Sequence, residues 1–462
     1  MKKTYQSKNK FKVVLTTIVA ILLSALVVGG VIGLLKKVDK PDSGEQGYVQ
    51  YEPAKVKYNA TFGNDFETTY PISSLDLTDN MSAAPYAYQD NSLFAGKRIT
   101  KIAAPVATVS AVDDNQYFTL WVIKAAQAGQ AVDTSSAKSY KVYIPRKEIS
   151  STTVNKWITI DLSNQFIYVG KDETIAFMKS DDTAICKYKQ GAYGHPFFYT
   201  SNGKWQAQNS QTIFYSIWTD DVVSLASKNI SILGDSISTY QGVSNDTSAN
   251  TTIGNNAVFF PKADIDNVNE TWWKQAIDST GMNLLVNNSW SGSRVFNNAG
   301  AAYDTRATQL HADTGANKGK NPDIIAVYMG VNDFDNKVAL GSFSKLSDVY
   351  DKESGYKAPQ NFAEAYAIML HKITQKYDKA NVFVFTLPYN GANTDTKTMD
   401  SYNDTIRGIA KYFECQIVDL AKIEGYSYSK YTSDNLHPNE QGMDLITDLF
   451  VRTLSSAYAK KQ

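Results

Sequence analysis

The 462-residue chain has two cysteines, four histidines and no net charge, its 46 basic side chains being matched by 46 acidic ones. Cys186 and Cys415 stand far apart with no Cys-x-x-Cys or Cys/His spacing, which argues against a disulfide framework or a zinc site and for two small buried hydrophobes. Three of the histidines read as structural. His195 has no second metal-type residue at hairpin or helical spacing, His311 lies in a polar segment without an acidic partner at a telling offset, and His371 sits beside an apolar stripe, so His311 and His371 are expected at the solvated surface. Balanced charge supplies no field to attract nucleic acid, and no nucleic-acid partner is expected.

What the sequence does have is a run of 23 residues without charge, Val13 to Leu35, long enough to cross a bilayer as a helix. It is longer than the apolar core of a cleaved leader, and no Ala-x-Ala site follows near its end. An uncleaved single-pass anchor is therefore expected, the chain being secreted if this segment is removed. Lys2, Lys3, Lys8, Lys10 and Lys12 precede the run while Lys36, Lys37 and Lys40 follow it. That bias, though modest, places the N-terminus in the cytoplasm and the remainder outside, with residues 1–37 as tail and anchor. Residues 38–54, rich in Pro, Gly and Ser, read as a flexible linker.

Residues 55–220 show strand after strand, among them Tyr117 to Ile123, Tyr140 to Ile144, Trp157 to Leu162, Phe166 to Val169, Thr174 to Met178 and Thr212 to Trp218. Ile158, Ile160 and Leu162 alternate with Trp157, Thr159 and Asp161, the period of a half-buried strand. Many strands without a convincing helix predict a jelly-roll-like β-sandwich, an architecture that carbohydrate-binding modules also use. Aromatic residues from Tyr193 to Tyr199, with Trp205, have the flat faces that stack on sugar rings, although core packing is the stronger reading for most of them.

Residues 225–462 change to alternating strands and helices. Asn229 to Leu233, Leu284 to Asn288, Ile324 to Met329, Val382 to Leu387 and Gln416 to Leu420 read as buried strands. Thr271 to Thr280 reads as a helix stopped by Gly281. Phe362, Tyr366, Met369, Ile373 and Tyr377 mark one face of a second helix, and Leu445, Leu449, Phe450 and Leu454 mark the terminal one. The alternation predicts a parallel sheet with helices on both faces, whose ligand crevice lies at the carboxyl ends of the strands.

Chemistry-bearing residues fall at those ends. The first strand runs into Gly234-Asp235-Ser236, the second into Asn288-Ser289-Trp290-Ser291-Gly292, and the third into Gly330-Val331-Asn332-Asp333. Before the last helix stands Asp434-Asn435-Leu436-His437-Pro438. A carboxylate three residues before a histidine on a tight turn can fold back to accept the Nδ1 proton, which leaves Nε2 free as a base.

In this order the four blocks resemble those of the SGNH (GDSL) hydrolase family of esterases, over about residues 229–462. The resemblance implies a three-layer, flavodoxin-like α/β fold and hydrolysis through an acyl-enzyme. It implies Ser236 as nucleophile, His437 as general base and Asp434 as the residue that orients it. The Ser236 N–H, Gly292 N–H and Asn332 side chain would form the oxyanion hole, with no metal and no cofactor. Joined to the sandwich and the anchor, this domain is expected to deacetylate a carbohydrate or another small ester outside the cell. Trp272, Trp273 and Trp290, close to the blocks in sequence, stand either as sugar contacts or as core. A lipid acyl esterase and a catalytically inactive surface-binding protein are the alternative readings.

Overall fold

A computed structural model describes residues 48–62, 86–125, 127–135, 137–178, 183–185, 187–189, 197–209, 211–213, 215–244, 258–262, 264–296 and 306–459. The expected span Val13 to Leu35, most of the linker, Cys186 and His195 lie outside them. Among the described residues no helix is long and apolar enough to cross a membrane.

Among the described residues the β-rich part holds two six-stranded antiparallel sheets and a two-stranded one. One orders Asn59–Phe62, Ser216–Asp221, Lys97–Val109 and Thr153–Asp161, with Ile167–Val169 and Thr183–Ile185 also paired to the long strand Lys97–Val109. The other orders Lys204–Gln208, Phe197–Ser201, Tyr86–Tyr88, Glu173–Met178, Tyr117–Lys124 and Lys138–Tyr143. Phe118, Leu120 and Val122 point inward from one sheet and meet Ile102, Ala104 and Ile160 of the other in one apolar cluster, in which Phe177 stacks on Tyr215. Two expectations need correction. The expected strand Thr212 to Trp218 is two strands: Gln211–Ile213 pairs with Lys187–Lys189, while Ser216–Asp221 joins the first sheet. Trp157 breaks the expected alternation, being buried beside Ile158. Phe197, Phe198 and Trp205 are buried too, so these aromatic residues are core, and Tyr199 alone of the described ones is exposed.

The second part is built on a five-stranded parallel sheet of β1 (Asn229–Gly234), β2 (Asn283–Ser289), β3 (Ile324–Tyr328), β4 (Asn381–Phe385) and β5 (Gln416–Val418). The spatial order is β2-β1-β3-β4-β5, all parallel. Every residue of β3 is buried, as a central strand covered on both faces requires. The helices are α1 (Trp272–Thr280), α2 (Val331–Asp335), α3 (Phe362–Lys376), α4 (Thr396–Tyr412), α5 (Tyr428–Tyr431) and α6 (Glu440–Ala459). Helix α1 packs with α6, and α3 with α4. Gly281 ends α1 in the left-handed conformation (φ 74°), a site where a Cβ would be strained.

The two parts meet on α6. Arg98, at the start of the long sandwich strand and 2% exposed, forms an ion pair with Asp448, which also accepts from Arg452 Nε at 2.9 Å. Arg98 Nη2 donates to Ser163 O at 3.1 Å, so the buried cation is hydrogen-bonded as well as paired. A cavity of about 530 Å³ opens in this seam, lined by Glu52, Ser163, Arg407, Asp419, Asp448 and Arg452 among others, and none of the motif residues reaches it.

Candidate active site

Strand β1 ends at a position that only glycine fits: a Cβ on Gly234 would stand 2.7 Å from the Ser238 side chain and 2.8 Å from Ser289 Oγ. Asp235 then turns the chain. Its Oδ1 accepts the Ile237 N–H at 3.1 Å and caps the short 3-10 turn Ser236–Ser238. From beneath, Trp272 Nε1 donates to Ser238 Oγ at 3.2 Å, and Asn287 Nδ2 donates to Ser238 O at 2.9 Å. Trp272 and Trp273 are fully buried, which makes them core rather than sugar contacts. Ser236 itself is 4% exposed.

His437 reaches Ser236 from the other side. Asp434 Oδ1 accepts the N–H groups of Leu436 and His437 at 3.1 and 2.7 Å, and Asn435 completes the tight turn with φ 70°. The second carboxylate oxygen, Oδ2, lies 2.8 Å from His437 Nδ1, and His437 Nε2 lies 2.9 Å from Ser236 Oγ. Asp434, His437 and Ser236 thus form one hydrogen-bonded chain. Its loop is tied down by the Gly391 N–H donating to Asn435 O at 2.7 Å and by Ser433 Oγ donating to Asp264 Oδ1 at 2.7 Å. Asn439 Oδ1 accepts the Gly442 N–H at 2.9 Å, so α6 starts two residues beyond Pro438, as the sequence suggests.

Burial holds the His437 pKa below its ordinary value, the Asp434 carboxylate offsets part of this, and the Lys262 cation adds to the depression. For Asp434 burial is the largest influence and pushes upward, but the His437 N–H, imidazole and charge, with the Leu436 N–H, together outweigh it and leave the carboxyl below its ordinary value. The result is a neutral imidazole beside an ionised carboxylate at neutral pH, the state that a general base requires.

The Gly292 turn is clamped at both ends. Trp290 N–H donates to Gly234 O at 3.1 Å, and Asn332 Nδ2 donates to Ser293 O at 3.0 Å. Gly292, exposed at φ 71°, lies between these anchors. Sequence reasoning gave no role to Asp333, yet this fully buried carboxylate accepts the N–H groups of Val295 and Phe296, each at 2.7 Å. Burial pushes its pKa up to about 7, against the pull of those two donors. Arg306 was also missed. It donates to Asn288 O at 2.7 Å and Gly234 O at 3.2 Å, with its guanidinium 4.7 Å over the Trp290 ring. Burial lowers its pKa to about 9, and Asp235 partly restores it. The adjacency of Asp333 to Asn332 was a usable signal for the first residue, whereas nothing in the sequence marks the second.

The remaining described histidines correct the surface reading. His371 is 6% exposed, between Tyr350, Tyr356 and Phe413, with Nδ1 3.0 Å from Tyr356 Oη. His311 is three-quarters buried and does have an acidic partner, since its Nε2 lies 2.8 Å from Asp313 Oδ1 while Nδ1 meets Tyr377 Oη at 3.0 Å. Two residues of separation suffice in a loop, where helical offsets do not apply.

This geometry coincides with a match over residues 228–454 to the family model described as GDSL-like Lipase/Acylhydrolase. These residues belong to that family. The esterase domain is a serine ester hydrolase. Among solved structures, the chain is similar to two proteins described as GDSL-like lipases. For the one from Bacteroides ovatus the identity is 23%, with 51% of this chain and 99% of that chain covered and a TM-score of 0.37. For the one from Bacteroides uniformis the identity is 26%, with 49% and 95% covered and a TM-score of 0.37. An active-site mutant of a family two carbohydrate esterase from Clostridium thermocellum is similar over 88% of this chain and 99% of its own, at 12% identity and a TM-score of 0.35. No curated protein matches the chain.

Proposed function

We propose that the protein is a membrane-anchored, extracellular serine esterase that removes acetyl groups from a carbohydrate. The observation that carries the chemistry is the continuous hydrogen-bonded chain from Asp434 through His437 to Ser236 Oγ. In this reading His437 Nε2 takes the Ser236 proton as Oγ attacks the ester carbonyl, and Asp434 stabilises the imidazolium that forms. The Ser236 and Gly292 N–H groups stabilise the tetrahedral oxyanion, joined by the Asn332 amide hydrogen not given to Ser293 O. The imidazolium returns its proton to the leaving alcohol, which frees the sugar hydroxyl. Water then hydrolyses the acyl-Ser236 intermediate by the same relay and releases acetate.

Support for a sugar ester over a long-chain lipid ester comes from the polarity around the base loop. Beside the Phe259 and Phe260 rings on His437, its neighbours are Asp264, held by Ser433, and the Gly391 to Asn393 segment, bonded at Gly391 to Asn435 O. Hydroxyl groups match such a rim and an alkyl chain does not. The anchor rests on Val13 to Leu35, whose length and lack of charge fit a single membrane span, with the N-terminus in the cytoplasm. The lipid alternative draws on the same segment.

The test is acetate release by the full-length chain from a panel of acetylated polysaccharides, alongside nitrophenyl acetate and a long-chain nitrophenyl ester, with Ser236→Ala as control. Release of acetate that disappears in Ser236→Ala is expected, together with a preference for the short ester. Preference for the long chain would replace the carbohydrate reading by the lipid one. Failure of the wild-type chain to react with a serine-directed fluorophosphonate would favour a surface-binding protein.

A further inference from the structure

Phe259 is connected to both partners of the proposed proton transfer, to His437 by its ring and to Ser236 by its backbone N–H through Thr239. Its ring lies face to face with the His437 imidazole, centroids 3.5 Å apart and planes 11° from parallel. Its backbone N–H donates to Thr239 Oγ1 at 2.8 Å, and that hydroxyl donates in turn to Ser236 O at 2.8 Å. Thr239 is fully buried, so this hydroxyl has its donor and its acceptor inside the protein and is not shared with solvent. The Phe260 ring meets the same imidazole edge-on, and Lys262 Nζ stands 4.5 Å from the Phe259 centroid. The polar groups on His437 are thus Asp434 at Nδ1 and Ser236 at Nε2, and the described rings that meet its plane are those of Phe259 and Phe260.

We propose that Phe259 is a positioning residue for the Ser236–His437 pair, fixing the plane of the imidazole with its ring and the height of the nucleophile turn through Thr239. The inference rests on His437 acting as the base for Ser236. The hydrogen bond between Asp434 and Nδ1 orients the imidazole but still lets it rock about the Cβ–Cγ bond, whereas a ring stacked on one face narrows that freedom. Nε2 is then held toward Oγ before substrate arrives. During reaction the imidazole becomes cationic, and an aromatic face is attracted to a cation while an aliphatic side chain is not. The residue acts through His437 and Ser236 and does not touch the reacting ester.

The experiment compares Phe259→Leu, Phe259→Tyr, Thr239→Val and the Phe259→Leu/Thr239→Val double variant of the full-length chain on nitrophenyl acetate, with kcat and KM separated and Tm recorded. Phe259→Leu is expected to lower kcat about 10- to 100-fold with KM changed less than about 3-fold. Phe259→Tyr, which keeps the aromatic face, is expected to restore kcat to within about 3-fold of wild type. Because Thr239 and Phe259 act on one geometry, the double variant is expected to lose little more than Phe259→Leu alone, the signature of coupled residues. Full kcat in Phe259→Leu, an equal loss in Phe259→Tyr, or losses that multiply in the double variant would each overturn the proposal. A wild-type chain that fails to label with fluorophosphonate would instead remove the reading beneath it, whereas a labelling wild type with an indifferent Phe259→Leu removes this inference alone.

Discussion

On one side of the Ser236–His437 hydrogen bond stands a turn built by the core. Gly234 admits no side chain, Trp272 and Asn287 bond the turn from beneath, and Ser236 is 4% exposed. On the other side, the base is built by four consecutive residues around Asp434, whose side chain is 48% exposed. The proposed nucleophile is therefore placed by tertiary packing and the proposed base mainly by a local turn. Substitutions on the two sides should accordingly separate activity from stability: base-side changes strike the chemistry while sparing the fold, and changes that support the nucleophile side strike both.

The largest effect tests the base side. Asp434→Asn keeps an Oδ1 acceptor for the Leu436 and His437 N–H groups but loses the charge that fixes the Nδ1 proton and stabilises the imidazolium. It is expected to lower kcat on the order of 10⁴-fold. Thermal unfolding should meanwhile change by less than about 1 kcal/mol, since half of the side chain is already in water. A collapse in Tm would show that the loop depends on more than its own turn. Next comes Asn332→Ala, which removes the proposed oxyanion donor and releases Ser293 O, for an expected loss of about 100- to 1000-fold in kcat. The comparison is sharpest at its neighbour. Asp333→Ala strands the buried N–H groups of Val295 and Phe296 and is expected to cost about 3 kcal/mol by denaturant unfolding. The accompanying activity loss should be only about 10-fold, because Asp333 holds the Gly292 turn without meeting substrate. A stable, inactive Asp333→Ala would place that carboxylate in the chemistry itself.

The same division explains what could be read from the sequence. A base made from Asp434-Asn435-Leu436-His437 is legible because the turn that joins the carboxylate to the imidazole is local, whereas the Gly391, Asp264 and Phe259 contacts that brace it from afar are not. Strands β1 to β5 were legible as short apolar runs, since a doubly covered parallel sheet needs them. Helix α4 was not anticipated although its buried residues Met399, Tyr402, Ile406 and Ile409 recur at helical spacing on one face, because the polar residues between them give the segment the composition of a loop. Arg306 and Phe259 escaped for another reason. Each acts on a residue far away in sequence, and neither type in its local setting signals what it will touch. His311 and His371 were misassigned for the same cause, since tertiary neighbours bury them. The β-rich part was legible as a sandwich of alternating strands but not in its strand order, because pairing between distant strands is set by packing that no single strand encodes.

The smallest effect concerns where the acid limb of the rate profile falls. Burial lowers the His437 pKa first, Lys262 lowers it further, and Asp434 opposes both. Because the base must be neutral, kcat/KM should fall as pH drops through that lowered pKa, with a midpoint below the ordinary value of about 6.5. Lys262→Met removes a cation that disfavours the imidazolium, so protonation becomes easier and the midpoint should move up, by a fraction of a pH unit at about 0.1 M salt. Asp434→Asn removes the anion that favours the imidazolium, so its residual activity should titrate lower still. Opposite movements in these two variants would locate the titrating group between Lys262 and Asp434, where His437 stands. A midpoint that ignores both would mean that a different group limits the rate, and with it that the locally built side of the site does not set the protonation state on which Ser236 depends.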